Sequence, residues 1–186
     1  RKLVEDGATI IDIGGESTRP GSDPVRLEEE IRRVVPAIEA IHSELDVVIS
    51  IDTMKADVMR AAVSAGASLI NDVNALRGEG ALQAAADLAV PVCLMHMQGT
   101  PQNMQQQPHY QDVVSEVRTF LFERVAVCEA AGISRSQIIL DPGFGFGKNA
   151  RHNLRLMKHL LSLTESDLPV LVGVSRKSII GAMLNV

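Results

Sequence analysis

Several short stretches of this 186-residue chain place acids, amides or cations directly behind apolar runs. The densest is Asp12-Ile13-Gly14-Gly15-Glu16-Ser17-Thr18-Arg19-Pro20-Gly21, with flexible glycines, two hydroxyls and a guanidinium. Such a loop can close over an anion: Arg19 can grip a carboxylate or phosphate through two parallel hydrogen bonds, and Ser17 and Thr18 can add donors. A lone loop arginine is more often a solvated surface residue, but the flanking composition reverses that preference here. Asp52 ends Ile49-Ser50-Ile51-Asp52-Thr53, Asn71 and Asp72 lie in Ile70-Asn71-Asp72-Val73, and Asp141 ends Ile139-Leu140-Asp141-Pro142. A carboxylate directly after an apolar strand is costly to desolvate unless it binds something. One such Asp could be only a helix N-cap, and Asp52 before Thr53 and Lys55 could be no more than that. Their repetition points to a pocket lined with acceptors. That pocket suits a flat heterocycle, because a carboxylate accepts two parallel bonds from an aminopyrimidine edge.

Asp141-Pro142-Gly143-Phe144-Gly145-Phe146-Gly147-Lys148 sets three glycines and two of the four phenylalanines beside one of these acids. Aromatic faces next to closely approaching backbone suit ring stacking, although core filling is an equal reading for Phe144. Ser175-Arg176-Lys177 follows the apolar run Val170-Leu171-Val172-Gly173-Val174. Lys177 could reach a ring carbonyl or an anionic group, and Gly173 would let a ligand lie against the backbone. Met95, His96 and Met97 close another apolar run and could line a pocket floor. His96 has no visible carboxylate partner, which favours a structural role for it.

The elements that would position these groups follow from periodicity. Six short apolar or β-branched runs read as strands: Thr9 to Ile13, Val47 to Ile51, Ser68 to Val73, Val92 to Met97, Gln137 to Leu140 and Val170 to Val174. They are continuous rather than alternating, as expected when helices cover one face of a parallel sheet. Between the first two, Asp23 and Pro24 can start a helix whose stripe runs Leu27, Ile31, Val34, Ile38, Ile41 and Leu45, with a kink expected at Pro36. Val113, Val117, Phe120, Leu121 and Val125 form a second stripe before Gly132, a C-terminal cap. Strand, helix and strand repeat without hairpin turns, so the sheet should be parallel with right-handed crossovers. Polar residues follow nearly every strand, along what would be one rim, and this favours a (β/α)8 barrel over an open sheet with one switch point. Arg1 to Asp6 reads as the tail of a helix and Ser178 to Val186 as the start of another, so one domain is expected, a barrel of about six βα units lacking its first and last strands.

With 18 Lys+Arg against 23 Asp+Glu and scattered cations, the chain lacks the basic stripe that nucleic-acid binding needs. No apolar run approaches the roughly 20 residues of a membrane span. Cys93 and Cys128 sit in apolar segments without metal-site spacing, consistent with buried, reduced thiols in a cytoplasmic protein.

Taken in order, Asp-Ile-Gly-Gly-Glu-Ser-Thr-Arg-Pro-Gly, Ser-Ile-Asp-Thr, Ile-Asn-Asp-Val, Leu-Met-His-Met, Asp-Pro-Gly-Phe-Gly-Phe-Gly-Lys and Ser-Arg-Lys-Ser resemble the motifs of bacterial dihydropteroate synthases from about Gly7 to Val186. The resemblance implies a transferase of folate biosynthesis, in which p-aminobenzoate displaces pyrophosphate from a 7,8-dihydropterin diphosphate and sulfonamides compete. It implies that Asp52, Asn71 and Asp141 hold the pterin edge, with Lys177 on the ring and Val73, Met95 and Gly173 around it. Thr18, Arg19 and Pro20 would lie on a mobile loop contacting p-aminobenzoate and diphosphate, joined by Phe146 and Ser175. Asp52, Asp141 and Lys177 would be the catalytic residues. A magnesium ion is implied, with its asparagine ligand on a strand outside these residues, as is an Arg-x-His anion site and a homodimer. Two other readings stand beside it: a related pterin-binding methyltransferase with a corrinoid partner, disfavoured by Thr18-Arg19-Pro20 and Ser175-Arg176-Lys177, and a fragment that binds pterin without turnover.

Overall fold

The computed structural model describes residues 1 to 19 and 21 to 175. A short helix, α1 (Lys2–Glu5), leads into β1 (Ile10–Gly14), and the chain then alternates: α2 (Leu27–Glu44), β2 (Val48–Asp52), α3 (Ala56–Ala65), β3 (Leu69–Asp72), α4 (Ala81–Leu88), β4 (Val92–Met95), α5 (Val113–Ala130), β5 (Ile138–Asp141), α6 (Ala150–Lys158) and α7 (Leu161–Thr164). The five strands are all parallel and lie side by side in sequence order. Successive neighbours joined by helices are what repeated right-handed crossovers produce.

Side chains alternate across a strand, so each strand divides its residues between two faces. Ile49, Ile51, Ile70, Val92, Leu94, Ile138 and Leu140 point to the helices and are almost wholly buried against Val34, Ile38, Val58, Met59, Val117 and Leu121. Each fully buried Ile, Leu or Met contributes roughly 1.5–3 kcal/mol, and this layer holds the sheet to its helices. The opposite face carries Asp12, Ser50, Asp52, Asn71, Cys93, Met95 and Asp141. Register aligns several of them directly: Asp12 with Ser50, Asp52 with Asn71, Asn71 with Cys93, and Met95 with Asp141.

Two expectations are corrected. Val170 to Val174 is not a full strand among the described residues; it meets β5 at one parallel bridge, Leu140 with Val170, flanked by backbone bonds from Leu140 to Pro169 and from Leu171 to Leu140. The helix expected from Asp23 begins only at Leu27, because residues 21 to 26 run as an irregular return of the preceding loop. Pro36, where the kink is expected, lies within α2. Gly132 behaves as expected: at φ 93° it ends α5, its amide bonds to the Glu129 carbonyl and that of Ile133 to Cys128, the paired bonds of a Schellman cap. The segment from Ser178 onward lies outside the described residues.

Candidate active site at the strand tips

Asp52 is the last residue of β2, and register sets Gly14 on one side of it and Asn71 on the other. Asn71 donates from Nδ2 to Asp12 Oδ2 at 3.2 Å, joining β1 to β3 across the tip of β2. Asp52 Oδ1 is buried and has no hydrogen-bond partner among the described residues. Burial raises the Asp52 carboxyl to about 8, and the nearby charges of Asp12, Asp72, Glu30 and Glu16 add to the effect. Asp12 is also raised, first by the desolvation of its carboxyl, against hydrogen bonds from Ser50 and Asn71, even though the residue surface is exposed at the sheet edge. Below its neighbours, the Cys93 thiol is pushed well above its ordinary value by burial and then by Asp141, Asp12, Asp52 and Asp72. Asp12, Asp52 and Asp141, from three strands, therefore share one face of the sheet beneath the rim.

Asp141 ends β5 and is 7% exposed. Its Oδ1 accepts the Gly143 amide at 2.7 Å, and its carbonyl accepts the His96 amide at 2.9 Å. Gly143 has φ 68°, and a Cβ there would lie 2.0 Å from the His96 carbonyl oxygen, so only glycine fits. Beside this acid, Val73, Met95, Met97 and Met104 are buried together, with Met54 and Phe146 packed on them. The mouth thus joins acceptors to an apolar wall, the composition of a small-molecule pocket. Thr18 lines a recess with Glu16, Glu30, Asp52, Thr53, Met54 and Lys55, whereas Arg19 is exposed on the loop. Gly173 is half-buried and Ser175 exposed. Pro20 and Lys177 lie outside the described residues. The wider clefts are elsewhere, at the opposite end of the strands around His42 and Gly66 and beside α6, and neither gathers these acids.

Other candidates resolve into structural roles. Asp72, fully buried, turns to the helix side and accepts the Asn74 and Leu76 amides at 2.7 and 2.8 Å, fixing the turn after β3. Phe144 belongs to the main core. His96 is buried, stands edge-on to Phe120, and is held neutral at about 2 by burial and then by Lys148.

Sequence reasoning assigned nothing to Lys148, yet its ammonium, 2% exposed, bonds to the carbonyls of His96, Gly143 and Phe146 at 2.9–3.1 Å and to His96 Nδ1 at 2.9 Å. Its place at the end of the glycine and phenylalanine motif, where positive-φ turns aim carbonyls inward, was the available signal. Glu16, Glu30 and Lys55 were also missed. They form an ion-pair cluster beside Asp52, with Thr53 Oγ1 donating to Glu30 at 2.6 Å.

A model of the family described as "Pterin binding enzyme" matches residues 1–186. The chain belongs to that family. It is 53% identical over 184 residues to the dihydropteroate synthase of Escherichia coli (strain K12), which covers 99% of this chain and 65% of that protein. The chain therefore spans just under two thirds of the length of that pterin-binding relative. Among solved structures, dihydropteroate synthase of Yersinia pestis with a sulfonamide drug complex superposes with TM-score 0.97 at 52% identity, covering 100% of this chain and 67% of that one. The Xanthomonas albilineans dihydropteroate synthase with 4-aminobenzoic acid gives 0.94 at 53% identity, covering 99% and 65%. The likeness identifies the described sheet as five consecutive strands of a (β/α)8 barrel, with the acids at its C-terminal rim, where such barrels build their sites. Among the described residues, no helix of this chain is long and apolar enough to cross a membrane.

Proposed function

We propose that the whole protein is a dihydropteroate synthase: the amine of p-aminobenzoate attacks the exocyclic methylene of a 7,8-dihydropterin diphosphate, the carbon–oxygen bond to diphosphate breaks, and the amine then loses a proton. One observation carries this reading above all: Asp12, Asp52 and Asn71 meet at one cluster, with Asp141 on the same face of the sheet, and Asp52 presents a buried oxygen that no described residue satisfies. An unmet buried acceptor costs about 1–3 kcal/mol unless a ligand supplies a donor, and an aminopyrimidine edge supplies two side by side. Supporting it, relatives bearing that name have been solved with 4-aminobenzoic acid and with a sulfonamide drug.

In this mechanism Asp52, Asn71 and Asp141 orient the pterin, Val73, Met95 and Gly173 enclose its faces, Lys177 bonds to the ring, and Phe146 stands with the residues that receive p-aminobenzoate. Thr18, Arg19, Pro20 and Ser175 receive the carboxylate of the arylamine and the diphosphate. An arylamine is neutral near pH 7 and needs no strong base, so the harder step is departure of diphosphate, which leaves positive charge on the pterin. Carboxylates fixed around the ring stabilise that charge without reorganising. Magnesium, which neutralises departing diphosphate when bound, belongs to the proposal. Among the described residues, no cluster of three His, Cys, Asp or Glu side chains is placed to hold that ion. A homodimer in the cytoplasm completes the reading.

Incubating the full-length protein with dihydropterin diphosphate, p-aminobenzoate and Mg2+ should release pyrophosphate, with inhibition by a sulfonamide. A folded sample that releases none rejects the assignment.

A further inference from the structure

The loop that carries Thr18 and Arg19 touches the barrel by its two feet. At the first, Gly15 packs so closely on α2 that a Cβ would lie 2.8 Å from Glu30 Cγ and 2.9 Å from Val34 Cγ1, and Arg33 donates to the Gly15 carbonyl at 2.9 Å. Glu16, the next residue, accepts at one oxygen, Oε2, both the Val25 amide at 3.0 Å and the Lys55 ammonium at 2.5 Å. Val25 is the second foot. The hydrogen bonds described for residues 17 to 24 all close within the loop: Ser22 donates to the carbonyls of Ser17 and Arg19, and the Arg19 amide to Ser17 Oγ. Lys55 also contacts Glu30 Oε2, and Glu30 is 1% exposed and receives the Thr53 hydroxyl, on the turn directly after Asp52. Burial opposes charge on Lys55, but the two carboxylates more than offset it and its pKa lies above the ordinary value. Without that ammonium, two carboxylates would face each other in a partly desolvated place, and Glu16, the less buried of the two and part of the loop, is the one able to move.

We propose that Lys55 is a positioning residue whose ammonium, set between Glu16 and Glu30, pins both feet of the 14–26 loop to the turn after β2 and so fixes where Thr18 and Arg19 stand relative to Asp52. It rests on the reading of the site given under Proposed function, and it assigns to the pin the binding of the second, anionic substrate rather than of the pterin. The bonds described between the loop and its surroundings lie at its feet.

The test compares wild type, Lys55→Met, Lys55→Arg and Glu16→Gln in the full-length protein. Amide hydrogen exchange over residues 17–25 should speed up about tenfold in Lys55→Met, since a charge-assisted bond of this kind is worth at least a tenfold equilibrium shift. The KM for p-aminobenzoate should rise by a similar factor while affinity for a dihydropterin that lacks the diphosphate holds, Lys55→Arg should recover most of the loss, and Glu16→Gln should show a smaller loss of the same kind. Unchanged exchange and KM in folded Lys55→Met overturns the proposal, as does an equal loss of affinity for that diphosphate-free dihydropterin, which marks a merely structural lysine. If Lys55→Met does not fold, Glu16→Gln decides by the same signs. If wild type releases no pyrophosphate, the synthase reading fails separately, and loop exchange still decides whether Lys55 pins the loop.

Discussion

The two halves of the site are built in opposite ways. Around β4 and β5, buried acceptors meet donors: Asp141 Oδ1 holds the Gly143 amide, and Lys148 gathers three carbonyls and His96 Nδ1. Around β1 and β2, Asp52 keeps a buried oxygen with no donor among the described residues, and the described bonds from the loop beyond it to its surroundings lie at its feet. A satisfied buried network is rigid, and an unsatisfied one stores free energy that a ligand can release. One half is a preformed wall and the other waits for its substrate.

The comparison can be broken most forcefully at the wall. Lys148→Met leaves several buried carbonyls without a donor and should cost about 3 kcal/mol or more, lowering the melting temperature by roughly 6–12 °C. It also removes the second cause of the depressed His96 pKa, so NMR should show His96 titrating above about 2, although burial keeps it below its ordinary value. Gly143→Ala meets the His96 carbonyl and should destabilise by a smaller amount, about 1–3 kcal/mol, read by denaturant unfolding. Asp52→Asn sharpens the contrast because it should do the reverse. With its folded pKa raised to about 8, Asp52 favours folding fully below its unfolded value near 4, and that contribution is lost as pH climbs through about 8. The variant should therefore melt higher than wild type at pH 8, by on the order of 5 °C, with the gap closing toward pH 4, while its dihydropterin affinity falls about ten- to a hundredfold. Smallest of all in stability is Arg19→Ala on the exposed loop, expected within about 0.5 kcal/mol of wild type while the KM for p-aminobenzoate rises.

Strand order and the rim of acids were legible because each apolar run is buried on its helix side and ends in a polar residue, as in Ile49 to Asp52 and Ile138 to Asp141. Asp52, Asn71 and Asp141 were readable as site candidates for that reason. Asp72 was not separable from Asn71 by type, because one step along a strand reverses the face and only the register decides which side chain enters the mouth. Lys148, Lys55 and Glu30 were illegible because a charged residue in a sequence reads as solvated surface, and their partners stand up to 52 residues away. The extended segment 170–174 read as a strand from its apolar residues, yet strand pairing depends on neighbours, and one bridge to β5 is what the described residues provide.

The most direct measurement of whether the rim acids form a pterin-binding cleft is calorimetric titration of the full-length protein with a dihydropterin at pH 7 in two buffers of different ionisation enthalpy. Asp52, mostly protonated when free, should ionise as ring donors reach it, so binding should release a proton and the observed enthalpy should differ between buffers, a difference absent in Asp52→Asn. Binding with the same enthalpy in both buffers, or undiminished binding by Asp52→Asn, would contradict the cleft.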